Sequence, residues 1–512
     1  MSDGHILIGS QIEPGQVLTP DVCIVGSGAG GAVTAHELAR RGKRVLVLEE
    51  GGYFTRRDFR MREDEAFPRL YQEKGMRATA DLAITILQGR AVGGTTVVNW
   101  TTSFRTPAPV LAHWRDVHGV EGLSPETLNP HWDAIEARLN VHEWPLEQIN
   151  ANNRVLWDGC GKLGWHRELL RRNVKTCMAS GYCGMGCPID AKQSMLVTYL
   201  PDAVAQGAVL YANTRVERLE VEGRRVTALH ASVCDPDSGA VRGTLTVKPK
   251  LAVLSGGAIN TPALLLRSGL DGGGRVGRRT FLHPVVAMAG LFAGPIEAYY
   301  GAPQSVASHQ FAERAGRIGF FLETPPIHPM LAALSFSGFG RQHQEVLAKL
   351  PHVQALIGLA IDGFLPGDEG GTVSLKRDGR VQVDYPMKPH LWEALREACK
   401  AMARIQLAAG ARSVASFHNR SVVIEREADV GLLDAAEWEP NRVNVFTAHQ
   451  MGGCAMGRDP KRSVVDSRLR FHTLDNLFVV DGSVLPTSLG VNPQETIYGL
   501  ARWASGHIAE TV

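Results

Sequence analysis

Gly26-Ser27-Gly28-Ala29-Gly30-Gly31 stands between an apolar run, Asp21-Val22-Cys23-Ile24-Val25, and a helical pattern that continues to Arg41. A second apolar run, Arg44-Val45-Leu46-Val47-Leu48, closes a strand–helix–strand unit of about 30 residues. The glycine spacing is G-x-G-x-x-G. Gly26 permits a tight turn, Gly28 lets backbone approach a pyrophosphate, and Gly31 lets helix and strand pack closely. The free N–H groups at the start of the helix would meet the pyrophosphate. Glu49, at the end of the second run, is placed to accept from a ribose hydroxyl. This arrangement predicts a dinucleotide site and leaves flavin and nicotinamide forms both open.

Outward from this unit, residues 207–254 read as short strands with turns at Glu222-Gly223 and Asp237-Ser238-Gly239. Leu251-Ala252-Val253-Leu254 runs into Ser255-Gly256-Gly257, with a helix expected after Asn260. A hairpin is expected from Gly371 to Tyr385, turning at Asp378-Gly379, then an amphipathic helix from Leu391 to Ala409. Leu477-Phe478-Val479-Val480 reads as another buried strand. Strands of nucleotide-binding type thus occur near both ends of the chain. The expected class is α/β, with a discontinuous Rossmann-like domain over residues 15–105, 190–290 and 440–512. An inserted α+β substrate domain, built on an antiparallel sheet, would take residues 106–189 and 291–439.

The 512 residues are 44% hydrophobic and 21% charged, which suits a chain with a sizeable core. Lys and Arg number 54 against 52 Asp and Glu, so the formal charge of +2 offers no grip on nucleic acid. No apolar run reaches the roughly 18 residues of a membrane span. Met1-Ser2-Asp3-Gly4-His5 lacks a basic stretch leading into an apolar core, so no signal peptide is expected. Eight cysteines are too few for a disulfide scaffold. The expected location is cytoplasmic, with peripheral attachment at the inner membrane as the variant.

Gly89-Arg90-Ala91-Val92-Gly93-Gly94-Thr95-Thr96-Val97-Val98-Asn99 resembles the first hallmark of the glucose–methanol–choline (GMC) flavoprotein oxidoreductases. Gly257-Ala258-Ile259-Asn260-Thr261-Pro262 through Gly269 resembles the second, and His449-Gln450-Met451-Gly452-Gly453-Cys454 through Asp481-Gly482-Ser483 to Val491-Asn492-Pro493 is similar to their catalytic end. The resemblance implies that the discontinuous domain binds FAD and that the reaction is oxidation of an alcohol by hydride transfer. By the same resemblance Gly93, Gly94, Thr95 and Asn99 would line the flavin, and Val216 would meet the adenine through its backbone. Asp481 and Gly482 would hold the ribityl chain, with Pro493 beside the ring. Residues 89–103 contain no His, the residue that tethers flavin in some relatives, so non-covalent FAD is expected.

Hydride leaves a carbinol carbon readily once the hydroxyl proton is gone, and a neutral imidazole is suited to take that proton. His449 occupies the family's catalytic position and is the expected base. Asn492 would orient the substrate oxygen, as Asn does in sterol- and choline-type members. His283 and Cys454 read as packed core residues.

Cys177, Cys183 and Cys187-Pro188 crowd into eleven residues. They resemble the ligands of a three-iron, [3Fe-4S], centre in iron–sulfur sugar and polyol dehydrogenases of the same family. Ala191-Lys192-Gln193-Ser194 is similar instead to long-chain fatty alcohol oxidases, where such cysteines need not bind iron. A glycine-rich structural loop, with or without a disulfide, is the plainer alternative, and zinc lacks a fourth ligand nearby.

Ile327 to Gly340 contains no Asp, Glu, Lys or Arg and reads as core or as the wall of an apolar substrate cavity. The expected function is oxidation of a long-chain or sterol-like alcohol, with oxygen or another electron acceptor. The rivals are an iron–sulfur dehydrogenase passing electrons to a partner, a lyase or decarboxylase on the same fold, and a non-catalytic flavin binder.

Overall fold

Strands Val22–Val25 and Val45–Leu48 pair in parallel, Val22 beside Val45 through Val25 beside Leu48, with helix Ala29–Ala39 between them. A computed structural model describes residues 4–512; Met1–Asp3, which carry part of the leader expectation, lie outside them. Four further strands complete a parallel sheet in the order His5–Leu7, Val209–Tyr211, Val45–Leu48, Val22–Val25, Leu251–Leu254 and Leu477–Val479. These strands are short and apolar because a parallel sheet is covered on both faces. Helices Ala29–Ala39 and Gln494–Thr511 pack on each other, so the two ends of the chain share one layer. A four-stranded sheet follows, in which Thr214–Glu222, Arg225–Cys234 and Val241–Val247 run antiparallel.

The second large element is a nine-stranded, mostly antiparallel sheet, with Val285–Leu291, Val353–Ile361 and Gly319–Glu323 adjacent in its middle. Helix Pro389–Ala408 lies on one face, burying Leu391, Leu395, Met402 and Ile405. Side chains alternate along each strand. Leu322, Leu356 and Ala360 therefore pack with the helix, while Val285, Phe321, Ile357 and Leu359 form a separate cluster on the opposite face. Glu323 follows Phe321 by two residues and so shares that opposite face.

The boundary between the two bodies differs from the sequence expectation. Val285–Leu291, expected in the nucleotide half, is a central strand of the antiparallel sheet, and Ile84–Ile86 and Val445–Thr447 join it too. An apolar strand reads alike in sequence whichever sheet it enters. The expected hairpin forms from Gly371–Leu375 and Val381–Asp384. Ile327 to Gly340 does not line the large cavity between the two sheets; Ile327 and Ala332 lie in a small core cluster with Phe336 packed against it, while Leu334 and Phe339 on the outer side of helix Pro329–Ser335 and its end are exposed. Absence of charge did not distinguish an inner wall from an outer one. Among the described residues no helix is long and apolar enough to cross a membrane.

Candidate active site

One continuous cavity of about 1070 Å³ runs from the glycine-rich turn to His449, between the parallel and antiparallel sheets. Its two ends are built differently. At the turn, Gly26 has φ +97°, and a Cβ there would lie 2.3 Å from the Ser255 carbonyl oxygen. Gly31 has the Gly26 carbonyl against it, so a Cβ would meet that oxygen at 2.0 Å. Both glycines are demanded by the protein's own packing. Gly28 is different: the nearest atom to its Cβ position is the Gly94 Cα at 3.7 Å, and the residue lines the cavity. Its missing side chain leaves room that only a ligand would fill. Helix Ala29–Ala39 begins there with no side-chain cap, leaving its first N–H groups for an anion.

Glu49 fixes the shape of this turn. Its Oε2 accepts from the Ser27 N–H (3.0 Å) and hydroxyl (2.7 Å), and its Oε1 accepts from the Gly51 N–H at 2.8 Å. Burial raises its pKa. Three of about four lone-pair positions are thus used, and one on Oε1 is left for a ribose hydroxyl. The Ser27 hydroxyl in turn accepts from the Gly93 N–H at 3.0 Å, joining the first hallmark to the turn. Thr95 Oγ1 accepts from the Gly89 N–H at 3.0 Å. Val216 lines the cavity beside a register shift between Val216 and Arg218, which interrupts the ladder there. Asp481 accepts from the Gly257 N–H at 2.8 Å, Thr261 Oγ1 at 2.6 Å and the Ser483 N–H at 2.8 Å, binding the C-terminal loop to the second hallmark. Gly482 and Pro493 line the same space. Asn99 donates to Gln494 Oε1 at 2.6 Å, while its own Oδ1 is buried with no partner. A glycine cradle, an uncapped helix and an orphaned amide oxygen suit an elongated polar cofactor.

At the other end the walls are apolar (Val285, Ile357, Leu359, Phe446) and the polar groups few. Asn492 Nδ2 lies 3.2 Å from His449 Nε2, and Asn492 Oδ1 is buried without a partner. Packing around the His449 ring lowers its pKa to about 4, so it is neutral near pH 7. The other face of that ring meets His283, Nδ1 to Nδ1 at 3.2 Å. Glu323, fully buried, accepts from Gln304 Nε2 at 2.7 Å and leaves Oε1 unpartnered. Thr102 Oγ1 donates to Gln304 Oε1 at 2.8 Å, which turns the Gln304 amide nitrogen toward Glu323.

Models of the GMC oxidoreductase N- and C-terminal regions match residues 67–285 and 366–501, and a Rossmann-like NAD(P)-binding model matches residues 24–64. An uncharacterized GMC-type oxidoreductase of Mycobacterium tuberculosis is 34% identical over 505 residues, 98% of this chain and 77% of the relative. The chain belongs to the GMC oxidoreductase family. A long-chain-alcohol oxidase of Arabidopsis thaliana is 31% identical over 523 residues, 96% of this chain and 67% of the relative. The crystal structure of a pyridoxine 4-oxidase shares the fold, with a TM-score of 0.71 at 21% identity, covering 96% of this chain and 98% of that one. The protein is an FAD-dependent oxidoreductase.

Two features of this GMC oxidoreductase escaped the sequence. His283 reads as a packed histidine, and it is buried, but it touches His449. Glu323 carries no motif at all. Its signal was weak: a charged residue ending the apolar run Gly319-Phe320-Phe321-Leu322. Cys177, Cys183 and Cys187 are free thiols, so no disulfide joins them. Lys192 is buried and donates to the Asn99 carbonyl at 2.9 Å and the Cys183 carbonyl at 2.6 Å, tying the cysteine loop beneath the first hallmark. Burial lowers its pKa to about 8. Arg172, also fully buried, donates to Cys183 Sγ at 3.8 Å and leaves Nε and Nη1 without partners.

Proposed function

We propose that this GMC oxidoreductase oxidises a hydrophobic alcohol, long-chain or sterol-like, to an aldehyde or ketone. The observation that carries the reading is the apolar enclosure of Val285, Ile357, Leu359 and Phe446 around His449 and Asn492. Similarity to the plant long-chain-alcohol oxidase supports the same substrate class. Bound FAD would supply the hydride acceptor. Gly26, Gly28, Gly31 and Glu49 would hold its pyrophosphate and ribose, Val216 its adenine, and Asp481 with Gly482 its ribityl chain. Gly93, Gly94, Thr95, Asn99 and Pro493 would surround its ring, without a covalent tether.

His449 and Asn492 meet the hydroxyl oxygen and hold the carbinol hydrogen toward the ring. The apolar wall excludes water and favours an alkyl chain over a polyol. The test is anaerobic mixing of the holoenzyme with 1-dodecanol and, separately, with glucose. Bleaching of the flavin by dodecanol is expected, whereas bleaching by glucose alone overturns the substrate class.

Arg172 supports a second reading. A buried guanidinium that donates to Cys183 Sγ and keeps two unpartnered nitrogens suits an anionic [3Fe-4S] cluster on Cys177, Cys183 and Cys187. Such a centre would pass electrons to a partner protein in place of oxygen. Iron and acid-labile sulfide, measured per flavin on anaerobically prepared protein, decide between the two.

A further inference from the structure

We propose that Asp362 is a positioning residue for His449, acting through the backbone of Leu282–His283, the His283 ring and the Thr447 hydroxyl. The inference rests on the alcohol-oxidation reading of the cavity and adds to it a residue that lies outside the cavity lining.

Asp362 directly follows strand Val353–Ile361 and is fully buried. Its carboxylate collects three donors. Oδ1 accepts from the His283 N–H at 3.2 Å, while Oδ2 accepts from the Leu282 N–H at 3.1 Å and from the Tyr385 hydroxyl. Two successive backbone N–H groups turned to one anion make a concave nest, a shape that calls for positive φ. His283 has φ +42°, which a residue with a Cβ keeps only where its surroundings impose it. Asp362 imposes it. Leu282 and His283 are both fully buried, so without the carboxylate two N–H groups would be left in the interior unpaired. Burial pushes the Asp362 pKa up to about 6 against the pull of its donors, so both oxygens are acceptors at pH 7.

Two paths lead from this segment to His449. The His283 ring reaches the His449 ring, Nδ1 to Nδ1 at 3.2 Å. The Leu282 carbonyl accepts from the Thr447 hydroxyl, whose oxygen accepts in turn from the His449 N–H at 3.1 Å. Ring and backbone of His449 are thus both referred to Leu282–His283. The far side of the His283 ring is pinned from the same neighbourhood. Its Nε2 meets the Leu489 N–H at 3.3 Å and the Gly490 N–H at 3.1 Å, and the Ser488 hydroxyl beside them donates to the Asp362 carbonyl at 2.6 Å. One buried carboxylate therefore sets the stage on which the imidazole stands. Small displacements of a group that meets the reacting atoms are costly in rate, and less so in the binding of an alkyl chain.

Asp362→Asn keeps the shape, but its amide has one acceptor oxygen and sets a donor against a backbone N–H. In anaerobic stopped-flow reduction of the FAD-loaded enzyme by 1-dodecanol, this variant is expected to keep full flavin and the wild-type half-saturating alcohol concentration. Its limiting rate should fall about 10–10²-fold. On a His449→Ala background the same substitution should change the limiting rate by less than about twofold, because the side chain it positions is gone. A merely structural role would lower the rate by the same factor on both backgrounds. Thr447→Val cuts the second path with Asp362 in place; it should give a smaller loss that also vanishes beside His449→Ala, and it carries the test where Asp362→Asn does not fold. Nitrogen-15 NMR of histidine-labelled, substrate-free enzyme should show the His283 amide and the His449 ring signals moved by Asp362→Asn. A wild-type limiting rate in the variants, losses of equal size on both backgrounds, or unmoved His449 ring signals overturns the proposal. Wild-type flavin that dodecanol leaves oxidised breaks the substrate reading instead, and the histidine signals still pass or fail the positioning by themselves.

Discussion

The two ends of the cavity handle buried polarity in opposite ways. At the glycine-rich turn nearly every polar atom is paired within the protein: Glu49 and Asp481 each accept several hydrogen bonds from backbone and hydroxyl groups. What remains for a ligand there is space, above all at Gly28, and the free N–H groups of an uncapped helix. At the reaction end space is walled by apolar side chains, while Asn492 and Glu323 each keep a buried oxygen without a partner. A resident cofactor is met by a preformed cradle, which costs little reorganisation. On the proposed reading, a reacting substrate would be met by unsatisfied groups whose hydrogen bonds form only when it arrives, where transition-state stabilisation is gained.

The most severe way to break this contrast is at Gly28. A Cβ there has the Gly94 Cα, 3.7 Å away, as its nearest atom, and a valine would fill space that the proposed reading gives to the pyrophosphate. Gly28→Val is expected to fold and to be purified almost without flavin, read by absorbance against circular dichroism. A folded variant with full flavin content would move the cofactor elsewhere. Next in size, His449→Ala should keep its flavin but be reduced by alcohol about 10²–10⁴-fold more slowly, the usual cost of a lost general base. Asn492→Ala should cost about tenfold, since it removes one neutral hydrogen bond. Rapid-mixing reduction rates measure both, and a reversed order would exchange their roles.

The smallest effect concerns stability. The Glu323 pKa is raised from 4.5 to about 8 in the folded chain, so the folded state binds this proton more tightly than the unfolded one. Its contribution is fully present below pH 4.5 and is lost as pH rises through 8. Relative to wild type, Glu323→Gln should therefore gain in melting temperature between these two values. Parallel melting curves across that range would argue that Glu323 is not held neutral by its surroundings.

The lining of the cavity at the glycine-rich turn was legible in the sequence. Gly26, Gly28, Gly31 and Glu49 act through local backbone geometry over about 30 residues, so their spacing carries their meaning. The family hallmarks likewise pointed to Gly93, Gly94 and Asp481: Gly93 donates to Ser27 of the turn, Gly94 packs against Gly28, and Asp481 accepts from the second hallmark. The boundary of the antiparallel sheet was not legible, because Val285–Leu291 has the same apolar pattern in either sheet. Nor was the place of Ile327 to Gly340, part core and part surface but outside the cavity, since missing charge does not say which of these a segment forms. His449 and Asn492 came from motif position. Their neighbours came only from the fold, because Gln304 sits in a bend before strand Val306–Phe311, Glu323 ends strand Gly319–Glu323, and His283 lies 166 residues from His449. The hydrogen-bond partners of His449 also lie outside its own motif, His283 on one side of the ring and Asn492 on the other. The role of a buried polar side chain depends on the partners around it, and only tertiary structure brings those partners together.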